Sequence, residues 1–204
     1  MVHPGIQLRG TASAMGVSRA AYLALLALVG SGRLIEMRIS ARNQRRLASL
    51  GVAKIAEPYF HWMVLLHIGV LVAAGFEVLL LRRPFILVLA GLMSTLFLLA
   101  NLLRWWVIRS LGAHWNVQVM ASGSLGIISE GPYKWVRHPN YVAVFVELVA
   151  LPLIHAAWFT AVCGAAASVW VLHRRLVVED KVLFDNPTYR TTMGAKPRFM
   201  PRAF

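Results

Sequence analysis

The sequence predicts an all-α integral membrane protein of about five transmembrane helices, the last two paired as a hairpin. Three observations carry that expectation. Of the 204 residues 58% are hydrophobic and the mean hydropathy is positive, too apolar for an ordinary soluble domain. Several apolar runs approach the ~20 residues that a helix rising ~1.5 Å per residue needs to cross a bilayer. Lysines and arginines are sorted into alternate connections.

The first run is roughly Val17–Met37, interrupted late by Arg33. The second extends from about Tyr59 to Leu81 and the third from Pro84 to Ile108. The block Tyr141–Leu172 holds no Lys or Arg, is too long for one span, and carries Pro152 and His155 near its middle. It reads as two helices joined by a tight hairpin near Leu151–Ala157. Met1–Ser18 is not apolar, so the N-terminus is not read as a signal peptide. The single cysteine, Cys163, falls within an expected span, leaving no disulfide framework and no cysteine metal site. No His/Cys/carboxylate spacing supports a metal either. Without repeats or low-complexity segments, residues 1–204 are read as one domain.

The formal net charge is +13. A nucleic-acid binder would carry such charge on a soluble face with few long apolar runs. Here the basic residues follow membrane topology, so no nucleic-acid partner is expected. Six Lys/Arg lie in Arg33–Lys54, four in Arg104–Arg137 and seven from Arg174 onward. Five spans with an outside N-terminus put these seventeen of twenty-one on one side, the cytoplasmic face of the inner membrane, against anionic lipid. The loop Arg33–Lys54, the connection Ser110–Arg137 and the C-terminal tail are then the large cytoplasmic parts.

Within the connection, Trp115-Asn116-Val117-Gln118-Val119 alternates like a short extended ribbon, with a turn at Ser122-Gly123-Ser124-Leu125-Gly126 behind it. It leads to Gly131-Pro132-Tyr133-Lys134-Trp135-Val136-Arg137-His138-Pro139-Asn140-Tyr141, an aromatic turn, a basic pair and a proline that restarts the chain. Proline suits the first helical turn, where its missing N–H would be unpaired anyway. Arg137 and His138 are therefore expected at a helix mouth, where water and bilayer meet. The tail holds Glu179-Asp180-Lys181-Val182-Leu183-Phe184, with apolar residues at helical spacing, and closes near Pro197-Arg198-Phe199-Met200-Pro201.

These motifs in this order, from about Leu103 to Phe204 and including Leu183 and Tyr189, resemble the isoprenylcysteine carboxyl methyltransferase family. Phospholipid N-methyltransferases and sterol reductases carry similar C-terminal halves, so Arg-His-Pro-x-Tyr alone is only moderately specific. The acidic pair and the Pro-Arg-Phe ending strengthen the likeness. Arg33-Leu34-Ile35-Glu36, Ser40-Ala41-Arg42-Asn43, Leu66-His67, Glu77, Leu103-Arg104-Trp105-Trp106 and Ser110-Leu111-Gly112 are similar to a bacterial subgroup. That subgroup O-methylates long-chain alkylpyrones and is encoded beside type III polyketide synthases.

The resemblance implies a membrane enzyme using S-adenosylmethionine, with a cytoplasmic C-terminal cofactor-binding segment folded over the ends of the last two spans. It implies that Gly131, Pro132, Tyr133, His138, Pro139, Asn140, Tyr141 and Glu179 bind the cofactor. A sulfonium ligand with an amino-acid end and an adenine calls for a carboxylate, imidazole or backbone donors, and an aromatic slot. Methyl transfer needs an oxygen held in line in a dry site rather than a strong base. Arg137 or Arg198 could anchor an anionic acceptor through the planar guanidinium fork, with Glu179 as the third catalytic candidate. Trp115, Asn116 and Glu147 are the expected acceptor contacts. The acceptor is a lipophilic molecule from the bilayer, an alkylpyrone-type polyketide hydroxyl first and a prenylcysteine-like carboxylate second. A polyketide synthase is a possible pathway partner. The alternatives are a phospholipid-type N-methyltransferase, or a reductase-like or non-catalytic membrane protein sharing this architecture.

Single residues also admit plain structural readings. Arg137 and Arg198 could hold the interface, His138 could cap a helix, and Tyr133, Trp135 and Tyr141 could be interfacial aromatics. Trp62, Trp105 and Trp106 read as belt residues, and His67 and His155 as buried helix-packing residues. Glu77 and Glu147 lie inside expected spans, where carboxylates face the bundle or a cavity, and an arginine partner is the structural reading for Glu147. Asp180 replaces the second Glu of the usual acidic pair, which shortens its reach. Ala143 and Thr192 stand where Gly and Tyr are common in the family.

Overall fold

The computed structural model describes residues 4–55, 57–118, 120–121 and 126–201, with backbone alone described for 4–15, 53–54 and 120–121. Val119 and the Ser122–Leu125 turn lie outside the described residues, as do residues 1–3 and 202–204. The order is α1 (Pro4–Ser49), β1 (Ala53–Lys54), α2 (Phe60–Leu80), α3 (Leu87–Leu111), β2 (Met120–Ala121), α4 (Pro139–Leu153), α5 (Trp158–Phe184) and α6 (Pro187–Met193). Short 3-10 turns occupy Gly112–His114 and Gly131–Lys134.

Among the described residues four helices are long and apolar enough to cross a membrane: Gly16–Ser49 of α1, α2, α3 with its 3-10 extension to His114, and α5. At 15 residues α4 is the exception. A length of ~22 Å falls short of the ~30 Å hydrocarbon core, so five full spans become four plus one short apolar helix. Pro152 sits in the last turn of α4, and Ala156 takes φ 53° in the turn that reverses the chain. The α4–α5 hairpin at residues 154–157 therefore lies where the sequence placed it. Pro84 does not open α3, which begins three residues later at Leu87.

The expected Arg33–Lys54 loop is helix as far as Ser49. Residues 33–50 lack Gly and Pro and are rich in strong helix formers. Their period is helical: Glu36, Ser40 and Leu47 are buried and Asn43 and Gln44 half-buried, while Arg38, Arg42, Arg45 and Arg46 are exposed on the other side. Gly51, at φ 77°, stops the helix. The Val52 N–H reaches the Leu47 carbonyl at 3.1 Å and the Gly51 N–H reaches Ala48 at 3.0 Å, closing a Schellman cap over the buried Leu47 and Val52 side chains.

One end of the bundle gathers the α4–α5 turn, the α2–α3 connection and the first turns of the described α1 side chains. His155 lies against Tyr22 and Phe85, with ring centroids 5.3 and 5.5 Å away, and the Tyr22 hydroxyl donates to the Leu151 carbonyl. Here Glu77 caps α5, accepting from the N–H groups of Phe159 and Thr160 and from the Thr160 hydroxyl, with Arg83 at 2.9 Å as counter-ion. The small Ala161, Gly164 and Ser168 form the buried stripe of α5, bringing Val70 of α2 within 3.0 Å of an added Gly164 Cβ. The opposite, basic end carries α6, the tail and an antiparallel pair with Ala53 opposite Ala121 and Lys54 opposite Met120. The pairing lies just beyond the expected ribbon. Trp115–Gln118 is irregular, because its backbone is bound by side chains: Asn43 donates to the Trp115 carbonyl, Arg175 donates to the Val117 carbonyl, and the Val117 N–H donates to Ser40.

Candidate active-site cavity

A cavity of about 540 Å³ runs inside the bundle from the basic end toward α1 and α2. Its basic end is lined by Tyr133, His138, Asn140, Tyr141, Glu179 and Tyr189, with Asn186 and Met193 of the α6 region above them. Its other end is lined by Gly30 and Leu34 of α1 and by Ile68 and Leu71 of α2.

The sequence between residues 131 and 141 builds one wall. Gly131 takes φ 58°, and an added Cβ would lie 2.1 Å from the Ser110 hydroxyl, so only glycine lets this turn press on α3. Pro132 is buried in the following 3-10 turn, and Pro139 occupies the first turn of α4 with His138 as its N-cap residue. Gly131, Pro132 and Pro139 therefore shape the wall and are not among its lining residues. Tyr133, His138, Asn140 and Tyr141 are.

Asp180 organises this wall. It accepts from His138 Nε2 at 2.8 Å, from Arg137 Nη1 at 3.3 Å and from Arg198 Nε at 3.0 Å. A carboxylate only accepts, so His138 Nε2 carries a proton and Nδ1 points toward Glu179, 3.9 Å from its Oε1. Glu179 in turn accepts from the Tyr141 hydroxyl at 2.5 Å, the length of a charge-assisted bond. The aspartate thus reaches three cationic or N–H partners despite its shorter side chain.

The tail closes over the same wall through its backbone. The N–H groups of Arg137 and His138 donate to the carbonyls of Pro197 and Arg198, each at 2.9 Å. Arg137 Nε donates to the Lys196 carbonyl and Lys196 Nζ to the Tyr133 carbonyl. Burial lowers the Lys196 ammonium from its ordinary value. Burial also raises the phenol of Tyr133 well above the ordinary tyrosine range and pushes Tyr189 up to about 12, so both remain neutral hydrogen-bonding groups at physiological pH.

The catalytic candidates separate here. Arg137 and Glu179 line the cavity. Arg198 does not: its side chain is 55% exposed and its Nε is held by Asp180. Trp115 and Asn116 line the cavity, the tryptophan 2% exposed. Ser40 donates to Asn116 Oδ1, which leaves the amide Nδ2 buried and unpartnered; Asn140 Oδ1 is likewise buried and unpartnered. Glu147 stands behind the wall, 3.0 Å from Arg33, and is not a lining residue. The exposed Trp62, Trp105 and Trp106 are on the outer surface.

Several lining groups were not assigned to the site from sequence. His67 lines the cavity instead of being sealed between helices. Arg175 lies a turn inward of Glu179, bound to Glu57, to the Met63 sulfur and to the Val117 carbonyl. Arg33, Glu36 and Arg104 complete the inner wall. The available signal was an arginine inside an apolar run, since such charges face a bundle interior or cavity. Among the described residues no group of three or more His, Cys, Asp or Glu could hold a metal ion.

The matched segment spans this wall. Residues 92–185 match the family model of the isoprenylcysteine carboxyl methyltransferase (ICMT) family. The match takes in α3 from Leu92 onward, the Gly131–Tyr141 segment, the α4–α5 hairpin and the Glu179-Asp180 pair; Tyr189 and Pro197-Arg198-Phe199 lie beyond it. Two curated relatives are uncharacterized. YpbQ of Bacillus subtilis (strain 168) is 28% identical over 159 residues, covering 78% of this chain and 94% of its own. A protein of Haemophilus influenzae is 26% identical over 153 residues, covering 74% of this chain and 88% of its own. The partial family match and the apolar helices together suggest a multi-pass membrane protein.

Proposed function

We propose that this chain is an S-adenosylmethionine-dependent O-methyltransferase acting at the membrane on a lipophilic acceptor. One observation carries the reading. A single cavity joins a polar, aromatic end at the Arg137-His138-Pro139 junction to apolar walls on helices that are long enough to span a bilayer. A soluble methyl donor and a lipid-borne acceptor can meet in such a space. The orientation proposed with it puts the N-terminus outside and the basic end in the cytoplasm, at the inner membrane.

The donor set fits S-adenosylmethionine. Glu179 and the unpartnered Asn140 Oδ1 accept from an ammonium or from ribose hydroxyls, and Asn116 Nδ2 donates. Tyr133, Tyr141 and Tyr189 offer aromatic surface for an adenine. When bound, the cofactor supplies an electrophilic methyl on a sulfonium. The protein's part is positioning and exclusion of water, because an enolate or carboxylate acceptor needs no strong base. The fixed His138–Asp180 and Tyr141–Glu179 pairs keep the polar wall in one geometry, and Arg137, which lines the cavity where Arg198 does not, holds an anionic acceptor. A long-chain alkylpyrone-type hydroxyl is the first choice of acceptor and a prenylcysteine-like carboxylate the second. The first makes a polyketide synthase the source of the acceptor.

Binding of labelled S-adenosylmethionine to the purified protein, abolished by His138→Ala and by Glu179→Ala, is the expected result. Mass spectrometry of lipid extracts from cells with and without the intact gene should reveal a species shifted by one methyl group. Absence of binding to the wild type, or of any shifted lipid, overturns the reading.

A further inference from the structure

The cavity wall turns polar a second time, well inside the bundle. On α2 the lining residues descend from Phe60 through Met63 to His67, about 10 Å for seven residues. Arg104 lies equally far from Leu111 along α3, and Arg33 and Glu36 face it from α1. Arg104 is 5% exposed. Its Nε and Nη2 are held by Glu36, the latter at 2.5 Å, and its Nη1 has no hydrogen-bond partner. Arg33 spends Nη1 on Glu36 and Nη2 on Asn101 and Glu147, leaving Nε buried and unpartnered. His67 Nδ1 donates to the Met63 carbonyl at 2.8 Å, which fixes the ring on this wall.

A buried donor without a partner costs about 1–3 kcal/mol, and more when charged. A plain hydrocarbon tail passing this layer would leave that cost in place. An oxygen function would remove it. The formal charges of Arg33, Arg104, Glu36 and Glu147 cancel, so the layer presents directed donors without net charge. It suits a carbonyl or a delocalised ring oxygen better than a second compact anion. Arg33, Glu36 and His67 also lie outside residues 92–185, so most of this layer is additional to the matched segment.

We propose that Arg104 Nη1 and Arg33 Nε form an oxygen-recognition subsite that selects the acceptor. It rests on the methyl-transfer reading and narrows the acceptor to amphiphiles with two or more oxygen functions on a compact planar head. One oxygen is methylated at the cofactor end. A carbonyl or ring oxygen accepts from the arginines, and the alkyl tail continues among Gly30, Leu34, Ile68 and Leu71.

The test compares two probes of equal chain length, a long-chain alkyl hydroxypyrone and a long-chain alkylphenol that has a single oxygen. Tryptophan fluorescence of the purified full-length protein gives the Kd of each, and calorimetry gives that of S-adenosylmethionine. The wild type should bind the pyrone about tenfold more tightly or better, the factor expected of one hydrogen bond worth ~1.4 kcal/mol. Arg33→Lys keeps a cation for Glu36 and Glu147 and removes Nε. Arg104→Lys keeps a cation for Glu36 and removes Nη1. Each should erase most of that preference, leave the phenol Kd unmoved and leave cofactor binding intact. Equal binding of the two probes by the wild type, or an unchanged pyrone Kd in both variants, overturns the subsite. Loss of cofactor binding in the wild type with pyrone preference retained sinks the methyl-transfer reading and spares the subsite.

Discussion

Two arginine–carboxylate networks flank the same cavity and differ in nearly every physical respect. At the basic end Asp180 gathers Arg137, His138 and Arg198, and one member, Arg198, is 55% exposed. Deeper in, Glu36 and Glu147 hold Arg33 and Arg104, and each of the four side chains is at most 15% exposed. The first network joins residues of one short motif to α5 and a tail, with backbone bonds to share the load. The second ties α1, α3 and α4 together through side chains alone. Near water an ion pair contributes little net energy, so the outer network positions groups. In an apolar interior an unpaired charge is expensive, so the inner network decides whether the bundle assembles at all.

The largest expected effect breaks the inner network. Arg104→Leu leaves Glu36 and Glu147 to share Arg33, one uncompensated charge among apolar helices, and should cost ~3–5 kcal/mol, read as a fall in the unfolding midpoint in detergent. Glu36→Gln combined with Arg104→Gln removes both charges and should recover most of that loss; a double variant as unstable as the single would contradict the contrast. Gly131→Ala is next. It forces a side chain into φ 58° against Ser110 and should cost about 1–3 kcal/mol, with weaker cofactor binding because the 131–141 wall shifts. Asp180→Asn strikes the hub of the outer network. It should leave the unfolding midpoint within a few degrees but weaken S-adenosylmethionine binding by about 2 kcal/mol, near thirtyfold by calorimetry, as His138 and Arg137 lose their orientation. Arg198→Lys should do least. Its pair is half in solvent, worth under ~1 kcal/mol, so transfer to acceptor should stay within about threefold of wild type. A large loss would restore Arg198 as an anchor.

The sequence made the outer site legible because its residues are contiguous. Proline at a helix start, the glycine turn and the basic pair form one eleven-residue word, and local rules for φ and capping read it directly. The hairpin was legible for the same reason, from Pro152 within a long uncharged block. Helix ends in polar segments were not. The Arg-rich stretch after Arg33 looked like a loop because its charge was read as topology, whereas its Glu36, Ser40, Asn43 and Leu47 face continues the helix to Ser49. The inner network was hidden because Arg33, His67, Arg104 and Glu147 stand 34, 37 and 43 residues apart in sequence order, and each alone reads as an interruption or a packing group.

By itself, then, the sequence determined that this chain is helical, apolar enough for a membrane, and equipped with a polar junction at the mouth of a helix. Those are consequences of composition, periodicity and backbone chemistry, which act within a few residues. Only the tertiary structure decided which charges face one another. It turned Asp180 into the hub of the outer wall, took Arg198 out of the cavity, moved Glu147 behind Arg33 and brought His67 into the inner wall. Side-chain pairing across helices depends on rotation and depth, and those are fixed when buried charges must find partners and small residues such as Gly164 let helices close on one another.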